Sequence, residues 1–192
     1  MQSNSLSKPR SVNQTVNQIL ISSRVVGVLV LIFVEMMLFS ALLSSFFVMK
    51  KGREIWDAAG SIHLPVLATG FNTLVLLASG VSLFFAGKAL KTHQDIKLAS
   101  LHLFRAIALS CFFLAFQIYL GVQLINSGLT ISSSVFGGCF HLMVGMHLLQ
   151  ALMGTLFMVK LYRNINTTNT VDSTMKDHFN SLQIFWLFVM GI

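Results

Sequence analysis

The chain has 192 residues, of which 10% are charged and 55% hydrophobic, with a mean hydropathy of +0.77. A soluble domain carries roughly 25% charged residues, so too few polar groups exist to cover a water-facing surface, and lipid must take the place of water over most of the exterior. The net charge of +7 would point to nucleic acid in a soluble protein; here the basic residues cluster between apolar runs, so membrane topology accounts for them and nucleic acid is set aside as a partner.

Residues 1–24 are rich in Ser, Asn and Gln and form a polar head without the short apolar core and cleavage site of a signal peptide. The remainder, 25–192, reads as one transmembrane helical domain. The first apolar run, 25–49, lies between Arg24 and Lys50 and is long enough to span, since about 20 residues cross the hydrocarbon as a helix. A polar segment follows, and Pro65 then opens a second run, 64–87, where a proline in the first turn costs no hydrogen bond. A charged link bears Lys88, Lys91, Asp95, Lys97 and Arg105, and the third run is 106–124. The uncharged link NSGLTISSS leads to the fourth run, 135–159, closed by Lys160 and Arg163. After a polar loop comes the last run, 179–192. At 1.5 Å per residue that run reaches roughly 20 Å, short of a ~30 Å hydrocarbon core, which favours a natural chain end beyond residue 192. The expected fold class is an all-α, polytopic transmembrane bundle of about five spans.

The basic residues set the orientation. The head, the second link and the fourth link share one side and hold ten of the 13 Lys and Arg; Lys50, Lys51 and Arg53 lie on the other, beside Glu54 and Asp57. The N-terminus is therefore expected in the cytoplasm and the C-terminus outside.

Polar groups inside the spans are the candidate functional residues. Glu35 is the single acid in any span, and such a group ordinarily faces a partner or a cavity. Helical rise places Glu35 roughly 16 Å from Arg24, Gln117 about 18 Å from Arg105, and His147 and Gln150 about 20 and 15 Å from Lys160. Three helices thus carry polar groups at one depth. That layer is either a protonation site built on Glu35 or a set of interhelical hydrogen bonds, each worth about 0.6 kcal/mol.

His141 and His147, six apart on one helix, are about 240° and ~9 Å apart and cannot clamp one iron. No catalytic residue, metal set or cofactor site is assigned to the chain: no Ser–His–Asp pattern, phosphate-cradling glycine loop or metal-ligand spacing occurs. Cys111 and Cys139 read as small packing residues, and Trp56 and Trp186 as interfacial anchors. The small residues of GVSLFFAG and GMHLLQALMG permit close helix contact. A small transporter or channel is disfavoured, because one acid and a thin polar layer do not make a path across the membrane.

The runs also resemble a known family. The first, GVLVLIFVEMMLFSALL, resembles that of subunit III of the heme–copper oxidases, the cytochrome c oxidase subunit 3 family, with Glu35 on the family's intramembrane glutamate. The second, LPVLATGFNTLVLLASG, resembles its L-P…N-T…L-L-x-S-S segment and places Asn72, Thr73 and Ser79, with Asn72 counted as the fifth member of the buried polar layer. FQIY in the third run, Phe140, Gly145, His147 and Gly154 in the fourth, and the terminal FWLFV are similar in turn. Departures stand at Val144, Leu148, Gln150 and Leu187. The likeness covers nearly all of 25–192, in order, and the span number is that of the short bacterial forms.

The resemblance implies an accessory, non-redox subunit of a proton-pumping terminal oxidase, fed by cytochrome c or a quinol. It implies heme and copper in the partner catalytic subunit I and none in this chain, with bound phospholipid in a cleft. It further implies contact with other oxidase subunits, membership of a respiratory supercomplex, and a place in the bacterial inner membrane. The role implied is support of proton uptake and of catalytic lifetime. An accessory subunit of a nitric oxide reductase is the neighbouring alternative.

Overall fold

The computed structural model describes residues 23–51, 66–93, 95–128, 130–132, 135–168 and 173–191. The polar head up to residue 22 and Trp56 lie outside the described residues. The architecture is all-helical: α1 (Ser23–Lys51), α2 (Val66–Lys88), a π-helical turn (Ala89–His93), α3 (Ile96–Asn126), α4 (Val135–Thr168) and α5 (Ser173–Gly191). Four of these, α1 to α4, are long and apolar enough to cross a membrane. The fifth has 19 residues, about 28 Å of helix.

The helices outlast the apolar runs that announced them. The link drawn over 88–105 is mostly helical: α2 runs into the π turn, and α3 starts at Ile96, ten residues ahead of the expected span. α4 likewise continues nine residues past 159, and α5 begins six residues before 179. Charge marks where lipid ends, but Lys and Arg are good helix formers, so nothing stops the helix there. The reversal between α2 and α3 is set by Asp95, whose Oδ1 accepts from Leu98 N at 3.1 Å as an N-cap and whose own N–H donates to Ala89 O at 3.4 Å. At the other end of α3, Gly128 turns the chain with φ +93°, a backbone region open to glycine.

Packing follows a closed order: α2 on α3, α3 on α4, α4 on α5, and α5 back on α2, with α1 outside this ring against α5 and α4. The fully buried core belongs to the ring; among the described residues, α1 reaches it only through half-buried Val28. Much of the core lies toward the basic end, marked by Lys88, Lys97, Arg163 and Lys176. There Ala86, Leu90, Ala99, Leu103, Ile165 and Phe179 are fully enclosed. Small residues let the backbones approach, the usual basis of helix association when lipid is the solvent. On α4, a Cβ at Gly154 would meet Trp186 Cζ3 at 2.6 Å; on α2, one at Gly87 would meet the Gln183 amide.

Trp186 is therefore not an interfacial anchor. It is 1% exposed, locked between α2 and α4, and its indole Nε1 donates to Ser79 Oγ at 3.1 Å. The physical reason is the absence of bulk at Gly154, which opens a slot for the ring, together with a hydroxyl to satisfy its N–H. The phenylalanines and methionines divide as expected between lipid and core: Phe33, Phe84 and Met153 face outward, while Phe113, Phe179 and Met158 are buried. Cys111 is exposed and Cys139 half-buried; neither forms a disulfide.

Candidate functional site

Hydroxyls inside the spans are mostly quenched by their own helix. Ser40 donates to Met36 O, Thr73 to Thr69 O, Ser110 to Ile107 O and Thr155 to Ala151 O, at 2.7 to 3.1 Å. Such back-bonds let Ser and Thr sit in hydrocarbon without a partner helix. Asn72, Gln117, Gln150 and, unlike His141, His147 form no such back-bond among the described residues, and they identify the site.

Asn72 on α2 is 1% exposed and donates from Nδ2 to Gln117 Oε1 on α3 at 2.7 Å. A second, long contact runs from the same nitrogen to Phe113 O at 3.5 Å. His147 on α4 stands edge-on to Phe113, ring centroids 5.9 Å apart. Gln117 and His147 both line a cavity of about 580 Å³ opening between the helices. Its other walls are mostly apolar, with Met36 and Phe39 of α1, Leu76 of α2 and Met143 of α4 beside the hydroxyl residues Ser40, Thr69 and Thr73, and the end of α5 at Val189 and Met190 forms one side.

Of the five residues expected in a buried polar layer, the structure thus groups Asn72, Gln117 and His147. Gln150 is 3% exposed, and neither of its amide atoms has a hydrogen-bond partner among the described residues. Glu35 is half-buried on α1; its enclosed Oε2 and His147 Nδ1 are also unpartnered among them. Glu35 does not line the cavity, although its neighbour Met36 does. The peripheral place of α1 is the reason, since only one edge of that helix touches α4 and α5.

Three contacts between side chains of different elements escaped the sequence reading: Trp186 to Ser79, Lys91 Nζ to Gln183 Oε1 at 3.2 Å, and Ser100 Oγ to Asn166 Oδ1 at 3.0 Å. The first two join α5 to α2 and the π turn that follows it, and the third joins α3 to α4.

The histidines are dispersed. His141 Nδ1 is 2.9 Å from Gly137 O on its own helix, and His102 lies against Phe85 with centroids 5.8 Å apart. Among the described residues no three of His, Cys, Asp and Glu come together as metal ligands. A second cavity, about 540 Å³, lies at the basic end of α4 and α5, where Lys160, Arg163, Asn164 and His178 adjoin Leu156 and Phe157.

A helical bundle with an apolar exterior, polar groups turned inward and one helix held loosely at its flank defines a membrane-embedded subunit. The sequence profile of cytochrome c oxidase subunit III matches residues 12–192, and the chain belongs to that family, whose members are accessory subunits of heme–copper oxidases. The cytochrome c oxidase subunit 3 of Schizophyllum commune is 31% identical over 139 residues, 70% of this chain and 48% of that protein. Its counterpart in Thermostichus vulcanus is 24% identical over 166 residues, 86% of this chain and 80% of the relative. That of Spodoptera frugiperda is 31% identical over 128 residues, 66% and 80%. The chain thus spans about half the length of the first relative and four fifths of the other two.

Proposed function

We propose that the chain serves a proton-pumping terminal oxidase of the aerobic respiratory chain as its non-redox accessory subunit, bracing the catalytic subunit and sustaining proton uptake. Oxygen reduction, heme and copper belong to the partner subunits, and electrons reach them from cytochrome c or a quinol. The observation that carries this reading is the family match over 12–192 joined to a bundle in which four helices are long and apolar enough to cross a membrane. The nitric oxide reductase and transporter readings are not favoured: the relatives named above are cytochrome c oxidase subunits.

Ten basic residues on the head and the two basic links support an N-terminus in the cytoplasm of a bacterial cell. The basic cavity beside Lys160, Arg163 and His178 suits a phospholipid headgroup, with Leu156 and Phe157 toward the acyl chain. Glu35 is the group assigned to protonation work, and Asn72, Gln117, His147 and Gln150 to the surrounding polar layer.

Removal of the chain tests the role. The heme spectrum of the remaining oxidase is expected to be unchanged while the enzyme inactivates after fewer turnovers or takes up protons more slowly. Equal lifetime and equal proton uptake with and without the chain would refute the proposal. Glu35→Gln keeps the shape and removes the acid, so it separates a packing role from a protonation role: only the latter lowers proton uptake in a fully assembled complex.

A further inference from the structure

A groove runs between the basic ends of α3 and α4, on the flank of α4 away from α5. Its volume is about 410 Å³, and Lys97, Ser100, Phe104, Tyr162 and Asn166 line it with Ile96 and Leu101. Two contacts fix the register of the antiparallel walls. The rings of Phe104 and Tyr162 lie 6.0 Å apart at one level, and one turn further from the membrane Ser100 Oγ donates to Asn166 Oδ1 at 3.0 Å. The groove is therefore graded along its length. Leu101 and Phe104, 46% and 55% exposed, give an apolar floor. The hydroxyl–amide pair follows, and the Lys97 ammonium crowns the end.

We propose that this groove binds an anionic phospholipid, its phosphate at Lys97 and Asn166 and one acyl chain on Leu101 and Phe104. The Ser100 bond uses the carbonyl oxygen of Asn166 and leaves the Nδ2 donors for the phosphate. Among the described residues no Asp or Glu lines the groove with Lys97, and the nearest acid in sequence, Asp95, caps α3 by accepting from Leu98 N. At 1.5 Å per residue, Ser100 and Lys97 stand roughly 6 and 10 Å beyond Phe104, which is headgroup depth if Phe104 sits at the hydrocarbon edge. The charge of the groove is complementary to an anionic leaflet and indifferent to a zwitterionic one. A free phosphate would satisfy the polar end and leave the apolar floor unused. The inference rests on the membrane-subunit reading and adds a site distinct from the cavity at Lys160, Arg163 and His178.

The test is native mass spectrometry of the purified, delipidated complex containing the chain. It is titrated separately with phosphatidylglycerol, phosphatidylcholine and inorganic phosphate. Phosphatidylglycerol is expected to add at lower concentration than phosphatidylcholine, and phosphate is not expected to displace it. Lys97→Gln should weaken one binding event roughly fivefold, the worth of about one charge near the surface. Lys97→Arg should retain it, and Lys97→Gln with Asn166→Leu should abolish it. Circular dichroism confirms that each variant stays helical, and Lys97→Arg controls for folding. An unchanged phosphatidylglycerol count in the folded double variant, equal uptake of phosphatidylcholine, or displacement by phosphate alone would overturn the site. Those results leave the subunit in its complex and the membrane reading intact. A chain that co-purifies with no oxidase subunit would instead bring down the reading itself.

Discussion

Trp186 and Ser79 meet across α2 and α5, and the contact shows how single residues set this bundle. Trp186→Phe keeps most of the packing and removes the indole N–H; it should cost about 1 kcal/mol, the usual net worth of one hydrogen bond. Trp186→Ala empties a slot already closed on every side and should cost about 3–5 kcal/mol. Gly154→Leu fills the same slot from the α4 side and should cost about 1–3 kcal/mol or displace the ring. Unfolding midpoints of the purified complex, read by Trp fluorescence for Gly154→Leu and by circular dichroism for the Trp186 variants, check all three. A Trp186→Ala midpoint equal to the parent would place the ring at the lipid boundary after all. The Asn72–Gln117 bond makes a separate prediction: a double-mutant cycle with Asn72→Leu and Gln117→Leu should return a coupling of about 0.6 kcal/mol, the average for polar pairs between membrane helices. Zero coupling would mean the two amides do not meet. Counting residues along each helix put the polar groups at one depth from sequence alone. It did not reveal that Asn72 faces Gln117 while Glu35 stands apart, because facing depends on which helices are neighbours. Trp186 was misplaced for the same reason: a lone tryptophan near a span end looks interfacial until Gly154 and Ser79 are seen around it.

At the scale of elements, four apolar helices were legible because an unbroken apolar run of about 20 residues is what crossing the hydrocarbon requires. Their ends were not. Hydropathy reports the lipid boundary, whereas the helix stops at its caps, and the two diverge most at the basic end, where α3 begins at Ile96 and α4 reaches Thr168. The Asp95 cap lay in plain view one residue before that start, but the charges around it read as a loop. Asp95→Ala should cost about 1 kcal/mol and loosen the reversal between α2 and α3, measurable as a lower unfolding midpoint with no change in lipid-embedded helix content. The stripe of Ser79, Gly80, Leu83, Ala86, Gly87 and Leu90 on α2 and its π turn carried a further signal. Its three- and four-residue spacing of small and apolar side chains marks a buried face, and α5 meets that face at Ser79, Gly80, Leu83 and Gly87.

The whole molecule has a firm basal core and a loosely attached α1, and its exterior is suited only to lipid or to other membrane chains. The proposed orientation makes a direct prediction. A cysteine placed at Asn164 should react with a membrane-impermeant thiol reagent only in inverted vesicles, and one at Ser132 only in intact cells. The reverse pattern would invert the topology. The role as an oxidase accessory subunit is tested most directly by mass spectrometry of the native complex purified through this chain. A heme- and copper-bearing catalytic oxidase subunit is expected to co-purify in fixed proportion with it. Recovery of the chain alone, or with partners that carry neither group, would contradict it.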